Sequence, residues 1–282
     1  MSKTVDIDAV SRILREVGQA EVMSRWRQLA VGDITYKAGG GSLVTVADHA
    51  AEAALERRLG ELLPGSLVVG EEGVAADPLR LDLFRHTDPV WVLDPIDGTR
   101  AFAKGREDFD MMVALVVDGI TVAGWIFHPV SGELYAGECG SGVMLLQADG
   151  SSSRPTRAAK FSLGQTIGIV RQDWPRTDPR RSMSEMASHF AGFVPPTSAG
   201  RNYARMLRGE ADFLLNFSVH PWDHLPGLLL VSEMGFHHGR ADDTPYRPAD
   251  KGAALLSAPS RALWQEIRDL LVAPLMYGAA AP

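Results

Sequence analysis

Apolar residues recur at helical spacing near the N-terminus. Val10, Ile13, Leu14 and Val17 share one face, and Val22, Met23 and Trp26 extend the apolar pattern. A second helix is expected over Thr45 to Leu63, where Ala50, Ala53, Ala54 and Leu55 are strong helix formers. Between the two, Lys37-Ala38-Gly39-Gly40-Gly41-Ser42 breaks the pattern and predicts a loop, either a connector or a mobile lid over a site.

After the turn at Pro64-Gly65 the period changes. Leu67-Val68-Val69 and Pro89 to Leu93 are short apolar runs and predict buried strands. Met111 to Val117 and Val122 to Phe127 predict a hairpin about Asp118-Gly119, followed by a strand over Leu134 to Glu138. In the second half, Gln165 to Val170 and Phe213 to Leu215 predict strands. Arg180 to Phe190, Tyr203 to Arg208, Leu225 to Met234 and Ser260 to Leu271 predict helices. Gly150-Ser151-Ser152-Ser153 is the best boundary, dividing an N-terminal α+β half (1–150) from a C-terminal α/β half (151–282). The elements alternate without a strict βαβ rhythm, so a layered mixed sheet is expected.

Composition narrows the function. A chain of 282 residues can bury a large core, and 28 basic against 35 acidic residues leave a net charge of −7. That balance disfavours a general nucleic-acid surface. The single cysteine, Cys139, cannot form an internal disulfide; it reads as a small buried residue in a reducing compartment. No signal-peptide pattern and no membrane-length apolar run is apparent, so a cytoplasmic enzyme that uses no membrane is expected.

Chemistry concentrates in Trp91-Val92-Leu93-Asp94-Pro95-Ile96-Asp97-Gly98-Thr99, an apolar strand that ends in two carboxylates, a glycine and a hydroxyl. Carboxylates at the end of a buried strand are costly unless something binds them, and hard oxygen donors select Mg²⁺, Ca²⁺ or Mn²⁺. Backbone N–H groups at Gly98 and Thr99 are placed to face an anion. Asp48, Glu71 with Glu72, and Asp223 also sit where apolar segments meet turns. Each alone has an ordinary reading: Asp48 a solvated helix residue, Glu71-Glu72 an exposed turn, Asp223 the cap of the helix from Leu225. Gathered at one point they would repel strongly, and paired Mg²⁺ ions would offset that repulsion while bridging a phosphate.

At these residues the chain closely resembles the inositol monophosphatase family of Mg²⁺-dependent, lithium-sensitive phosphatases. Asp94 to Thr99 matches its first signature, Gly70-Glu71-Glu72 its upstream turn, Thr45 to Asp48 its Thr-x-x-Asp element, and Trp222-Asp223-His224-Leu225-Pro226-Gly227 its second signature. The resemblance implies an α+β protein, a layered α/β/α/β/α sandwich of the inositol monophosphatase and fructose-1,6-bisphosphatase type. It implies that Glu71, Asp94 and the Ile96 carbonyl bind a first Mg²⁺, and that Asp94, Asp97 and Asp223 bind a second. A third, weaker ion would lie near Glu71. Thr99, linked to Asp48, would orient and deprotonate the attacking water, and Gly98 and Thr99 would hold the phosphate. Glu72 would stand behind the ligands, and Lys37 would be the mobile-loop lysine. A homodimer is also implied.

Some positions depart from the family pattern. Arg100-Ala101-Phe102 follows Thr99 where an Asn is usual two residues on, and His224-Leu225-Pro226 replaces smaller residues. Asn216 stands where inositol-specific members carry a Glu for sugar hydroxyls, and Asp97 is also a candidate substrate contact. Arg201, expected on the opposite wall, reads either as a solvated loop arginine or as the partner of a second anionic group on the substrate. His220 is expected to pack near Trp222, and His237-His238 to form an exposed turn. The expected activity is phosphomonoester hydrolysis of a small polyol or sugar phosphate such as inositol monophosphate. Histidinol-phosphate phosphatase and nucleotide 3′-phosphatase are alternatives within that chemistry. A non-catalytic RNA- or protein-binding regulator is the reading from another class, disfavoured by the net charge and the full set of acids.

Overall fold

The computed structural model describes residues 5–37, 42–171, 187–249 and 254–272. Helical periodicity at the N-terminus becomes α1 (Ile7–Val17), capped by Asp6 and continued by a π-helical turn over Gly18–Met23. Strands β1 (Ile34–Tyr36) and β2 (Leu43–Thr45) pair antiparallel on either side of the glycine loop, whose residues 38–41 lie outside the described residues. Helix α2 (Val46–Leu62) follows directly, with Thr45 as its N-cap.

A seven-stranded sheet carries the next segment of chain. Strands β3 (Leu67–Gly70) and β4 (Val90–Asp97) run parallel, with Gly70 opposite Leu93. The sheet then continues antiparallel through β5 (Asp110–Val117), β6 (Ile120–Phe127), β7 (Leu134–Glu138), β8 (Gly142–Leu146) and β9 (Ser152–Ser153). Both faces of β4 are covered, which explains why its sequence is apolar without alternation. Trp91 and Leu93 pack toward α1 and α2, while Val90 and Val92 pack against the C-terminal half.

On that second face lie α5 (Ala199–Leu207) and α6 (Pro221–Glu233). They are backed by a second, five-stranded sheet in the order β11-β10-β12-β14-β13. Its strands are β10 (Ile167–Val170), β11 (Gly192–Phe193), β12 (Phe213–Asn216), β13 (His237–Arg240) and β14 (Leu255–Ala258). Leu214 points to the inner helices, whereas Phe213 and Leu215 point outward to α7 (Arg261–Ile267) with its buried Trp264. The layers are therefore α/β/α/β/α, an α+β sandwich, as expected. Two shorter helices, α3 (Glu71–Ala76) and α4 (Thr99–Ala103), begin where β3 and β4 end.

Several local expectations change. Helix α6 starts at Pro221, with His220 at the cap, so Asp223 lies within the first turn and is not its N-cap. Pro221 suits that start because the first turn needs no amide donor. His237 and His238 open β13, paired with Ala258 and Ser257, so they are half-buried strand residues and not an exposed turn. Cys139 is exposed in the turn between β7 and β8, contrary to the buried reading. The helix expected over 180–190 lies mostly outside the described residues. Among the described residues no helix is long and apolar enough to cross a membrane.

One contact sets the spacing between the first sheet and the inner helices. A Cβ on Gly124 of β6 would lie 2.8 Å from the Pro226 carbonyl oxygen of α6, and one on Gly227 would fall within the Tyr203 ring. Small residues let α6, which carries Asp223, press directly onto β6. Gly124→Val should therefore force the layers apart and destabilise the fold by about 1–3 kcal/mol, read by denaturant unfolding. A wild-type midpoint would show that the helix does not depend on this approach.

Candidate metal and phosphate site

The parallel pair β3–β4 brings two acid-bearing strand ends side by side. Helix α3 begins with Glu71 and Glu72 at the end of β3, and β4 ends with Asp94 to Asp97. The first turn of α6 adds Asp223 from the other half of the chain. Carboxylate oxygens of Asp94, Asp97 and Asp223 all lie within 4.8 Å of one another. These three, with Glu71 and Thr99, line a cavity of about 550 Å³.

Each acid is held differently. Asp94 is buried, and one of its oxygens accepts from the Ile96 amide at 3.1 Å. Asp97 accepts from the Ala199 and Gly200 amides at 3.2 and 2.5 Å, the unpaired donors at the start of α5. Asp48 is buried, unlike the solvated reading: its Oδ2 accepts from the Thr45 amide (2.8 Å) and hydroxyl (2.6 Å), closing a capping box. That leaves Asp48 Oδ1 facing the Thr99 hydroxyl at 3.1 Å; the same hydroxyl lies 3.0 Å from the Ile96 carbonyl. Lys37 reaches Glu71 at 2.6 Å and the buried Glu72 at 2.7 Å, so this pair is no exposed turn. Gly98 has φ +94°, and a Cβ there would meet the Asp108 carbonyl at 2.6 Å; only glycine makes this turn from β4 into α4.

Crowding shifts these groups. Burial, then the charges of Glu71, Asp97 and Asp223, push the Asp94 carboxyl well above its usual range. Burial and Asp97 do the same to Asp223, relieved in part by Arg171. Asp97 is pushed up to about 7 by burial and the nearby Asp110, although the α5 amides oppose the shift. Burial also lifts Glu72 to about 7 against the pull of Lys37. Burial alone would lower Lys37; its pairing with Glu71 and Glu72 outweighs that and raises it to about 12. Clustered carboxylates that resist ionisation together are a donor set suited to a hard divalent cation.

Substrate-side expectations fare differently. Arg201 turns away from the cavity, donating to the Glu107 carbonyl at 2.8 Å and lying 3.3 Å from Asp110. Asn216 is buried at the end of β12 and does not line the cavity. His220 stacks on Trp222 with ring centroids 5.1 Å apart, as expected.

Sequence reasoning passed over four features. Glu52, in mid-α2, accepts from the Glu72 and Gly73 amides at 2.8 and 2.7 Å and so fixes the start of α3. Buried Asp110 bonds His128 and accepts from Ser198 at 2.8 Å, anchoring the start of α5 beneath Asp97. Arg171 lines the cavity from the end of β10. Arg100, Lys104 and Arg106 line it from α4 and the turn beyond. Only the run of bases after Thr99 left a visible signal.

Known proteins resemble this chain along most of its length. The model of the inositol monophosphatase family matches residues 5–273. An inositol-1-monophosphatase of Mycobacterium leprae is 30% identical over 70% of this chain and 71% of that protein. A fructose-1,6-bisphosphatase/inositol-1-monophosphatase of Thermotoga maritima is 26% identical over 81% of this chain and 82% of its own length. Inositol monophosphatase II of Staphylococcus aureus superposes with a TM-score of 0.76 at 22% identity, covering 97% of this chain and 96% of that one, which shows the fold.

The pH response follows from the shifted carboxyls. Unfolded, such groups titrate near 4; folded, Asp97 and Glu72 titrate near 7, and Asp94 and Asp223 are raised as well. The folded chain thus holds more protons in that window, and its stability falls as pH rises from about 4 through about 7. Metal-free protein should melt at a lower temperature at about pH 8 than at about pH 5.5, and MgCl₂ should raise the melting temperature more at the higher pH. A magnesium effect independent of pH would place the ion elsewhere.

Proposed function

The chain belongs to the inositol monophosphatase family, and from that premise we propose that it is a Mg²⁺-dependent phosphomonoesterase of a small polyol or sugar phosphate such as inositol monophosphate. The observation that carries this reading is the convergence of Asp94, Asp97 and Asp223 on one cavity beside the Thr99–Asp48 pair. In this reading Glu71, Asp94 and the Ile96 carbonyl would hold one Mg²⁺, and Asp94, Asp97 and Asp223 would hold a second. A third ion would lie near Glu71. When bound, these ions supply Lewis-acid charge and make a water acidic near neutral pH.

The chain's own groups do the rest. Thr99 accepts a proton from the attacking water while its own hydroxyl proton passes to Asp48 Oδ1. Burial raises the proton affinity of Asp48, which suits an acceptor, while the Thr45 bonds hold its other oxygen fixed. The Gly98 and Thr99 amides bind the phosphate at the start of α4, and in-line transfer then depends on positioning and charge. Lys37 ties Glu71 to Glu72 at the cavity edge. Histidinol phosphate and nucleoside 3′-phosphates remain within the proposed substrate range, and a homodimer is proposed on family grounds.

A phosphate-release screen over inositol 1-phosphate, histidinol phosphate and nucleoside 3′-phosphates, with and without Mg²⁺ and Li⁺, tests the reading. Turnover should require Mg²⁺ and fall with Li⁺. Thr99→Ala should lower kcat by about 10²- to 10⁴-fold. Asp94→Asn should abolish turnover, yet raise the melting temperature of the metal-free protein because one of the repelling charges is gone. Wild-type turnover by Asp94→Asn would contradict the proposal.

A further inference from the structure

Beyond the carboxylates, one wall of the cavity is basic. Arg100 and Lys104 are four residues apart on α4 and its C-cap, and Arg106 follows two residues later. All three are exposed, line the cavity and form no ion pair among the described residues. Asp108 is the acid on the same wall.

The turn that presents them is fixed at three successive carbonyls. The Gly105 carbonyl accepts from Arg27 Nε at 3.0 Å, the Arg106 carbonyl from Trp26 Nε1 at 3.2 Å, and the Glu107 carbonyl from Arg201 at 2.8 Å. Arg27 in turn lies over the Trp26 ring at 4.0 Å. Consecutive carbonyls are thus pinned by side chains from α5 and from the segment after α1. A pinned backbone with free cationic side chains limits where those charges can be, which favours a specific partner over diffuse attraction.

We propose that Arg100, Lys104 and Arg106 form a second anion subsite, and that the substrate carries a carboxylate or second phosphate besides the phosphate that is cleaved. This rests on the phosphatase reading above. A single exposed cation holds an anion weakly, but guanidinium forks and an ammonium converging on one group make charge-assisted bonds that add. Long-range steering by the same residues would raise capture of every phosphate ester alike and fade with salt; a subsite favours the doubly anionic ester specifically. Arg201, a candidate for this second anion from the sequence, instead secures the turn that presents the subsite.

The test uses the full chain in MgCl₂ with linear alkyl phosphates of two- to six-carbon spacer, ending in hydroxyl, carboxylate, phosphonate or trimethylammonium. The best carboxylate or phosphonate ester should exceed its hydroxyl counterpart about tenfold in kcat/KM, mainly through KM, with the ammonium ester poorest. Comparing the two anionic arms tells which group the subsite takes. In Arg100→Ala/Lys104→Ala the preference should shrink to within about twofold of unity, with circular dichroism unchanged. A wild-type ratio near one, a ratio unchanged in the variant, or a preference that disappears between about 50 and 200 mM NaCl would overturn the subsite. Failure to hydrolyse any ester would overturn the phosphatase reading instead. In that case, calorimetry of an alkyl phosphonate with the metal-free protein decides the subsite: binding lost in the double variant supports it, and no wild-type binding refutes it.

Discussion

Mutual repulsion among carboxylates withdrawn from water is the constraint on which this structure turns. Asp94, Asp97 and Asp223 converge within 4.8 Å, with Asp94 and Asp97 buried and Glu71 close by. An arrangement of this kind survives only if the frame is stiff enough to impose it. The frame is stiff because β4 lies at the middle of two packed layers, and because α6 contacts β6 with no side chain between Gly124 and the Pro226 carbonyl. The core supplies the rigidity, and the site spends it.

Local hydrogen bonding divides the load unequally. Asp97 rests on the first amides of α5, Asp48 on Thr45, and Glu52 on the first amides of α3. Lys37 lies against Glu71 and Glu72. Asp94 and Asp223 have the least relief, and their proton affinities are raised accordingly.

Much of this was legible in the sequence because the informative segments are governed locally. An apolar run ending in Asp94-Pro95-Ile96-Asp97-Gly98 has few alternatives to a buried strand and a tight turn, and the acids at 71 and 223 fall at similar junctions. What escaped detection depends on distant partners. Ala199 and Gly200 hold Asp97 through backbone amides, which leave no trace in residue type. Glu52 looks like any helix-surface acid until α3 is placed over it. Arg201 was expected in the pocket, but one helical turn of orientation decides which wall it meets. His237 and His238 became strand residues because β14 offered a free edge, a preference set by pairing and not by their own pattern.

The parts of this cage are widely spaced along the chain, and that has a consequence for biogenesis. Residues 97 and 223 are separated by more than a hundred positions, and the amides that steady Asp97 belong to residues 199 and 200. At roughly 5–20 residues per second, a ribosome delivers Asp97 on the order of ten seconds before Asp223. Throughout that interval the nascent N-terminal segment has its acids but lacks their clamp. The site therefore cannot be completed before Ala199, Gly200 and Asp223 have all been made.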